Sequence, residues 1–257
     1  RKHNVIHHSY CNITGHDNDI NLGYFGRVSP HQARLPFHRW QHVYLWVLYG
    51  CLPLKWQLYD DFRDVAAGHI DGHRMLRPRG WDLMNFLLGK FTFFALALVI
   101  PLLLYPPAVV LGCYLCASFV QGLTLSVVFQ LAHCVEPAAF PMPQLETGRM
   151  HSPWAAHQVE TTVNFAPASR VLTWLIGGLN FQIEHHLFPR LCHIHYPALS
   201  RIVRQTCREF GITYASHPTF RAGVASHYRW LRQMGQNDQT TPSTSIAPAA
   251  RTFAPNG

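Results

Sequence analysis

Residues 86–104 read FLLGKFTFFALALVIPLLL and residues 108–131 read AVVLGCYLCASFVQGLTLSVVFQL, separated only by Tyr105, Pro106 and Pro107. At 1.5 Å rise per residue the first stretch reaches about 28 Å, close to the ~30 Å hydrocarbon core of a bilayer. The connector is short and uncharged, so the two stretches predict a transmembrane helical hairpin. Lys90 lies near one end, where its amine can snorkel to headgroups. Two crossings return the chain to its starting side. Charged residues cluster before and after the pair, which by the positive-inside tendency predicts both flanks on the cytoplasmic face.

The composition of the whole chain is unusual. Charged residues are 13% of 257, about half the roughly 25% of soluble globular chains, which argues against disorder or a coiled coil. Eighteen histidines outnumber the 13 Asp and Glu residues together. The net charge of +8 suits an anionic membrane surface, and no nucleic-acid partner is inferred. Seven cysteines at irregular spacing do not form a disulfide framework, and Cys113–Cys116 reads as helix packing within an apolar run. The chain begins at Arg1 without an initiator Met and reads as a piece of a longer protein.

Residues 1–39 are polar and rich in His and turn formers. Residues 40–59 are apolar and aromatic, broken by Gly50 and Pro53, and predict an interfacial or half-buried helix, with a full span as the alternative. Residues 60–85 read as a charged loop. Residues 196–210 predict an amphipathic surface helix opened by Pro197, with Leu199, Ile202, Val203 and Phe210 on one side and Arg201, Arg204 and Arg208 on another. The Gln, Thr, Ser and Pro content of 235–257 predicts a disordered tail. The expected fold is therefore an all-α integral membrane protein: a hairpin, a cytosolic His-rich cap and amphipathic helices.

Two clusters carry the chemistry. In His3-Asn4-Val5-Ile6-His7-His8, a helix would put His3 and His7 on one face, with His8 in a neighbouring direction. In Gln182-Ile183-Glu184-His185-His186 the adjacent pair recurs, again with i, i+3 and i+4 on one face. Neutral imidazole is the commonest metal ligand near neutral pH and suits iron, copper, zinc or nickel. The hairpin brings both clusters to one membrane face.

At HNVIHHSYCN (3–12), QLAHCVE (130–136), HQVETTVNF (157–165) and above all GGLNFQIEHHLFPRLCHIHYP (177–197), the sequence resembles the membrane fatty acid desaturases. The last segment is similar to the subgroup whose third histidine box begins with Gln, which includes front-end and bacterial acyl-CoA or acyl-lipid desaturases. The resemblance spans residues 1–234. It implies that His3, His7 and His8 form the second box and that His185 and His186, with Gln182, form the third. It further implies His133 as an additional metal ligand and His157 as a weaker candidate. Asp17, Asp19, Glu160 and Glu184 are candidate partners of the imidazoles. His193, His195, His217 and His227 receive a structural reading. The family's first box is not found, so residues 1–234 read as the C-terminal portion of the domain, inactive by itself.

The resemblance implies an oxidoreductase with two iron ions in a non-haem diiron centre. It would use O2 and electrons from cytochrome b5 or ferredoxin through a reductase to place a double bond in a fatty acyl-CoA or acyl-lipid. A lipid or carotenoid hydroxylase or ketolase on the same scaffold is the alternative. A non-catalytic His-rich metal-binding membrane protein is the rival from another class. Residues 91–129 hold no charge and no His, unlike the spans of most ion transporters.

Overall fold

Proline sets the shape of the hydrophobic helices in the computed structural model, which describes residues 6–70, 73–74 and 76–236. Helix α1 is a short turn, His8–Tyr10. Helix α2 (Gln41–Lys55) passes through one wide turn at Trp56–Asp60 into α3 (Asp61–Ala67). Pro53 has no N–H for the carbonyl of Tyr49, four residues back, and the ladder loosens near it. The first predicted span is α4 (Trp81–Phe94), another wide turn at Ala95–Val99, and α5 (Ile100–Leu104), with Pro101 interrupting the ladder in the same way. The second is a single helix, α6 (Pro107–His133). These two segments, 24 and 27 residues long, are long and apolar enough to cross a bilayer. Helices α4 and α5 contain no buried residue, and their side chains Leu87, Phe91, Leu96 and Leu103 are exposed, as lipid-facing residues would be.

Helix α2 runs antiparallel to α6. The pairs are Tyr49 and Gly50 against Gly122, then Gln57 against Tyr114, whose hydroxyl donates to Gln57 Oε1 at 2.6 Å. The helices touch backbone to backbone: a β-carbon at Gly122 would fall within 2.7 Å of the carbonyl oxygens of Tyr49 and Gly50. The stretch at 40–59 is thus a helix packed along a span, with Leu45, Tyr49, Gly50 and Pro53 buried.

Residues 60–85 are not the expected loop. They hold α3, a small hairpin of β1 (His69–Ile70) and β2 (His73–Arg74), and the first residues of α4. The charges that suggested solvent pair with one another: Asp60 takes Lys55 at 2.8 Å and Arg63 at 3.2 Å, and Lys90 binds Asp61. Lys90 lies over the rings of Phe62 and Phe86 with Asp61 as its carboxylate partner.

Beyond His133 the chain builds the cap: α7 (Trp154–Thr161), β3 (Asn164–Phe165), α8 (Arg170–Leu175), α9 (Gln182–Leu187), α10 (Tyr196–Glu209), β4 (Ser216–His217) and α11 (Phe220–Gln236). Strands β3 and β4 pair in parallel, Asn164 opposite Ser216. Helix α11 closes the cap. Its Trp230, Leu231 and Met234 pack with Ile20, Val28, Leu45, Val135 and Val163 in one core. Helix α10 begins at Tyr196 with Pro197 in its first turn, as expected, but its buried residues are Tyr196, Val203 and Cys207. Ile202 and Phe210 stay exposed, because the seat formed by Val159 and Ile183 lies one position further round the helix. The tail, like His3, lies outside the described residues apart from Gly235 and Gln236, which are helical.

Candidate metal centre

One asparagine seats the first histidine cluster. Asn12 follows α1 in the left-handed region, φ +56°, which Asn adopts more readily than most residues. Its amide donates to the carbonyls of His133 at 3.0 Å, Ala139 at 3.0 Å and Thr161 at 3.2 Å, tying the start of the chain to the end of α6 and of α7. Its backbone N–H donates to Asp17 at 2.8 Å. His133 is the last residue of α6, so the end of the span presents it to the cap.

The second cluster rides on α9, a six-residue helix held by side chains. Ile183 N–H donates to Asn164 Oδ1 at 2.9 Å, and Asn164 Nδ2 donates to Glu184 Oε2 at 2.8 Å. Tyr214 OH donates to Glu184 Oε1 at 2.9 Å. Burial raises the Glu184 carboxyl above its ordinary range, against the opposing pull of these two donors. Burial and the neighbouring Glu184 also raise the Tyr214 phenol.

Five imidazoles from three parts of the chain meet here. Ring centres are 4.6 Å apart for His7 and His133, 4.9 Å for His7 and His186, and 4.9 Å for His133 and His186. His8 stacks on His186 at 4.3 Å and meets His185 at 4.8 Å. All are buried except His185, which is half-buried. Burial, and then the nearby rings of His133, His7, His8 and His185, push His186 well below the usual imidazole range, so it stays neutral.

Four of the rings are engaged through Nδ1, each by a different group. His7 Nδ1–H donates to both Asp17 carboxylate oxygens at 3.0 Å. Burial alone would lower the His7 pKa, but the Asp17 carboxylate outweighs it and the net shift is upward. His186 Nδ1–H donates to Gln158 Oε1 at 2.9 Å. His185 Nδ1 lies 3.4 Å from the Tyr196 hydroxyl, and His133 Nδ1 lies 3.4 Å from Cys11 Sγ. For His7 and His186 these bonds leave the lone pair on Nε2, the usual device for orienting metal-bound imidazole.

The donor set fits a transition metal. His186 Nε2 is buried with no hydrogen-bond partner among the described residues, a costly arrangement unless a cation takes the lone pair. One donor atom from each of His7, Cys11, His133 and His186 lies within 4.8 Å of the other three. Clustered neutral nitrogens suit iron and its neighbours and disfavour magnesium or calcium.

Of the residues expected at the site, His7, His8, His133, His185 and His186 converge. Gln182 joins them, with its Nε2 3.1 Å from His133 Nε2. His157 stands one step outside: its Nε2–H donates to the Cys11 carbonyl at 2.9 Å and holds the backbone behind the cluster. Asp17 partners an imidazole as expected, and Asp19 approaches the same nitrogen at 3.7 Å. Among the described residues neither Glu160 nor Glu184 hydrogen-bonds to an imidazole: Glu160 accepts from Ser152 Oγ at 2.9 Å, with its charge acting on nearby His157, and Glu184 braces α9. His193 and His195 are exposed. Cys11 and Gln158 escaped the sequence reading. The first stands four residues after His7 and the second next to His157, spacings that only a known helix phase makes meaningful.

The Fatty acid desaturase family profile matches residues 1–218. The chain is 40% identical over 245 residues to the sn-1 linoleoyl-lipid 6-desaturase of Arthrospira platensis, covering 93% of this chain and 65% of that protein. It is 38% identical to the protein of the same name from Synechocystis sp., covering 91% and 66%, and 38% identical to the acyl-lipid (8-3)-desaturase of Physcomitrium patens, covering 91% and 49%. The chain thus spans just under two thirds, or less, of these relatives' lengths. No solved structure matches it.

Proposed function

This chain belongs to the fatty acid desaturase family, and from that premise we propose that it carries the metal centre of an oxygen-dependent acyl-lipid desaturase. The observation that supports this most is the convergence of His7, His8, His133, His185 and His186 in one cluster at the end of a membrane-length helix. His7, His8, His133, His185 and His186 would hold two iron ions, together with His3 and with Gln182 as a ligand or as a partner of His133. His157 supports the backbone behind them. With O2 and two electrons, such a centre supplies an oxidant strong enough for an unactivated methylene C–H bond, which no side chain can provide.

The protein's own part is positioning and exclusion. The Nδ1 partners fix how the rings of His7 and His186 face the centre, which costs no reorganisation on binding. The burial of four of the five rings keeps water from the reacting centre. One membrane-length helix, α6, ends at His133, so an acyl chain lying in the bilayer would approach the centre along it. The relatives named above act on acyl groups of lipids, so an acyl-lipid is the proposed substrate, with an acyl-CoA as the other carrier. The arginines Arg77 and Arg79, just before the first span, support a cap on the cytoplasmic face. There a cytochrome b5-type protein or a ferredoxin with its reductase would deliver electrons.

The test is expression of the full-length protein in a host lacking the product, with mass spectrometry of total fatty acids. A new double bond, lost in His185→Ala and in His186→Ala while membrane insertion persists, supports the reading. A hydroxylated product without a double bond overturns it.

A further inference from the structure

Helix α8 turns apolar side chains in two opposite directions. Leu172 and Ile176 pack inward on Val128, Leu131 and Ala132, which belong to the last two turns of α6. Val171, Trp174 and Leu175, at i, i+3 and i+4 and so side by side on a helix, are exposed by 70%, 79% and 64%. Arg170 opens the helix and is exposed.

The depth of this outer face follows from the span. At 1.5 Å per residue the 27 residues of α6 run about 40 Å, roughly 10 Å more than the ~30 Å hydrocarbon core. Centred in a bilayer, the helix leaves about one turn at each end among the headgroups. Val128 and Leu131 then straddle the boundary between acyl chains and headgroups, and α8 lies against them at that depth. In water a contiguous apolar face is costly, whereas at this boundary an indole keeps its ring in the apolar layer and its N–H in the wet one.

We infer that the outer face of α8 is a membrane-contact surface: Val171, Trp174 and Leu175 sit at the acyl–headgroup boundary of the bilayer that α6 crosses, with Arg170 among the lipid phosphates. The occupant is lipid, because α8 is packed on the span itself and because a tryptophan between aliphatic neighbours, with an arginine beside them, matches the layering found there. The contact carries through to the metal centre. Asn180 Nδ2 donates to Thr173 Oγ1 at 3.0 Å, and the Gly178 N–H donates to the Thr173 carbonyl at 2.8 Å, so the segment leading into α9 is tied to α8. The bilayer thereby sets the depth of the helix that bears Gln182, His185 and His186. The inference rests on α6 crossing a bilayer and is independent of the reaction catalysed.

Tryptophan fluorescence of the full-length protein in nanodiscs, one copy in each, is the test. The difference between wild type and Trp174→Phe isolates the Trp174 emission. It should be quenched by phosphatidylcholine brominated near the start of its acyl chains and be untouched by aqueous iodide. Photolysis of a membrane-dissolved diazirine, mapped by peptide mass spectrometry, needs no variant and should label 170–176 together with α4 and α6. Trp174 emission quenched by iodide, emission protected from both quenchers as packing against protein would give, or label on α4 and α6 with none on α8 each overturns the inference. Label missing from α4 and α6 as well overturns the membrane reading beneath it, and the inference with it.

Discussion

The side-chain oxygen of Gln158 and Nδ1 of His186, 28 residues apart and both fully buried, meet at 2.9 Å. This bond decides which imidazole nitrogen faces the other histidines. Gln158→Leu removes the acceptor, and a partner of this kind is worth roughly 10–100-fold in metal affinity. Gln158→Glu supplies an acceptor again and should recover most of the loss. Competition of each variant with a metallochromic chelator measures both. Equal affinity in Gln158→Leu and wild type would remove Gln158 from the site.

His227 gives the fold an acid limit. It is fully buried on α11, with its Nδ1–H donating to the Cys134 carbonyl at 2.7 Å and its Nε2 3.0 Å from the Tyr49 hydroxyl. Burial lowers its pKa to about 4, against 6.5 ordinarily. Above about pH 6.5 both folded and unfolded chains are neutral there and nothing is lost. As pH falls from 6.5 towards 4 only the unfolded chain takes the proton, so stability drops, by about 3 kcal/mol for this one group. Thermal unfolding in detergent between pH 7 and 4 should show a shallower decline in His227→Gln. Parallel declines in the two proteins would refute the assignment.

The contact between α2 and α6 depends on glycine. Gly122→Ala would push a methyl against the carbonyls of Tyr49 and Gly50. Both are backbone atoms that cannot swing aside, so a loss of about 1–3 kcal/mol is expected. Gly112→Ala, on the same helix with open space around it, should be neutral or slightly stabilising. Comparing melting temperatures of the two variants separates the contact from helix propensity.

Glu184 is a brace, and its partners are testable. Tyr214→Phe leaves one carboxylate oxygen short of a donor inside the cap, at a cost of about 1–3 kcal/mol. The variant should melt earlier yet bind metal with unchanged stoichiometry when folded, because Tyr214 lies behind α9 and touches no ligand. Metal content per folded protein is the discriminating measurement.

The two spans were legible because a bilayer asks for one thing, an uninterrupted apolar length, and local composition records it. The paired boxes were legible because His185 and His186, like His7 and His8, keep their spacing in any helical phase. The charged stretch at 60–85 misled because charge alone does not distinguish water from an ion partner. Lys90 and Asp61 find each other across 29 residues. Helix α10 was legible as an amphipathic surface helix, but its protein-facing residues, Tyr196, Val203 and Cys207, are chosen by the α7 and α9 residues beneath it.

What the sequence by itself determined is therefore the spans, the helical class and the five histidines that converge. Which nitrogen of each ring is engaged, and by what, only the tertiary structure decided. Asp17, Gln158, Tyr196 and Cys11 are ordinary residues in the chain and become partners of imidazoles only when α1, α6, α7, α9 and α10 are brought together. Asn12 reaches His133 across 121 residues, and no local pattern encodes a bond of that reach. Hydrophobic length is a property of a segment, whereas a hydrogen bond to a buried imidazole is a property of two segments and the packing that sets them 3 Å apart.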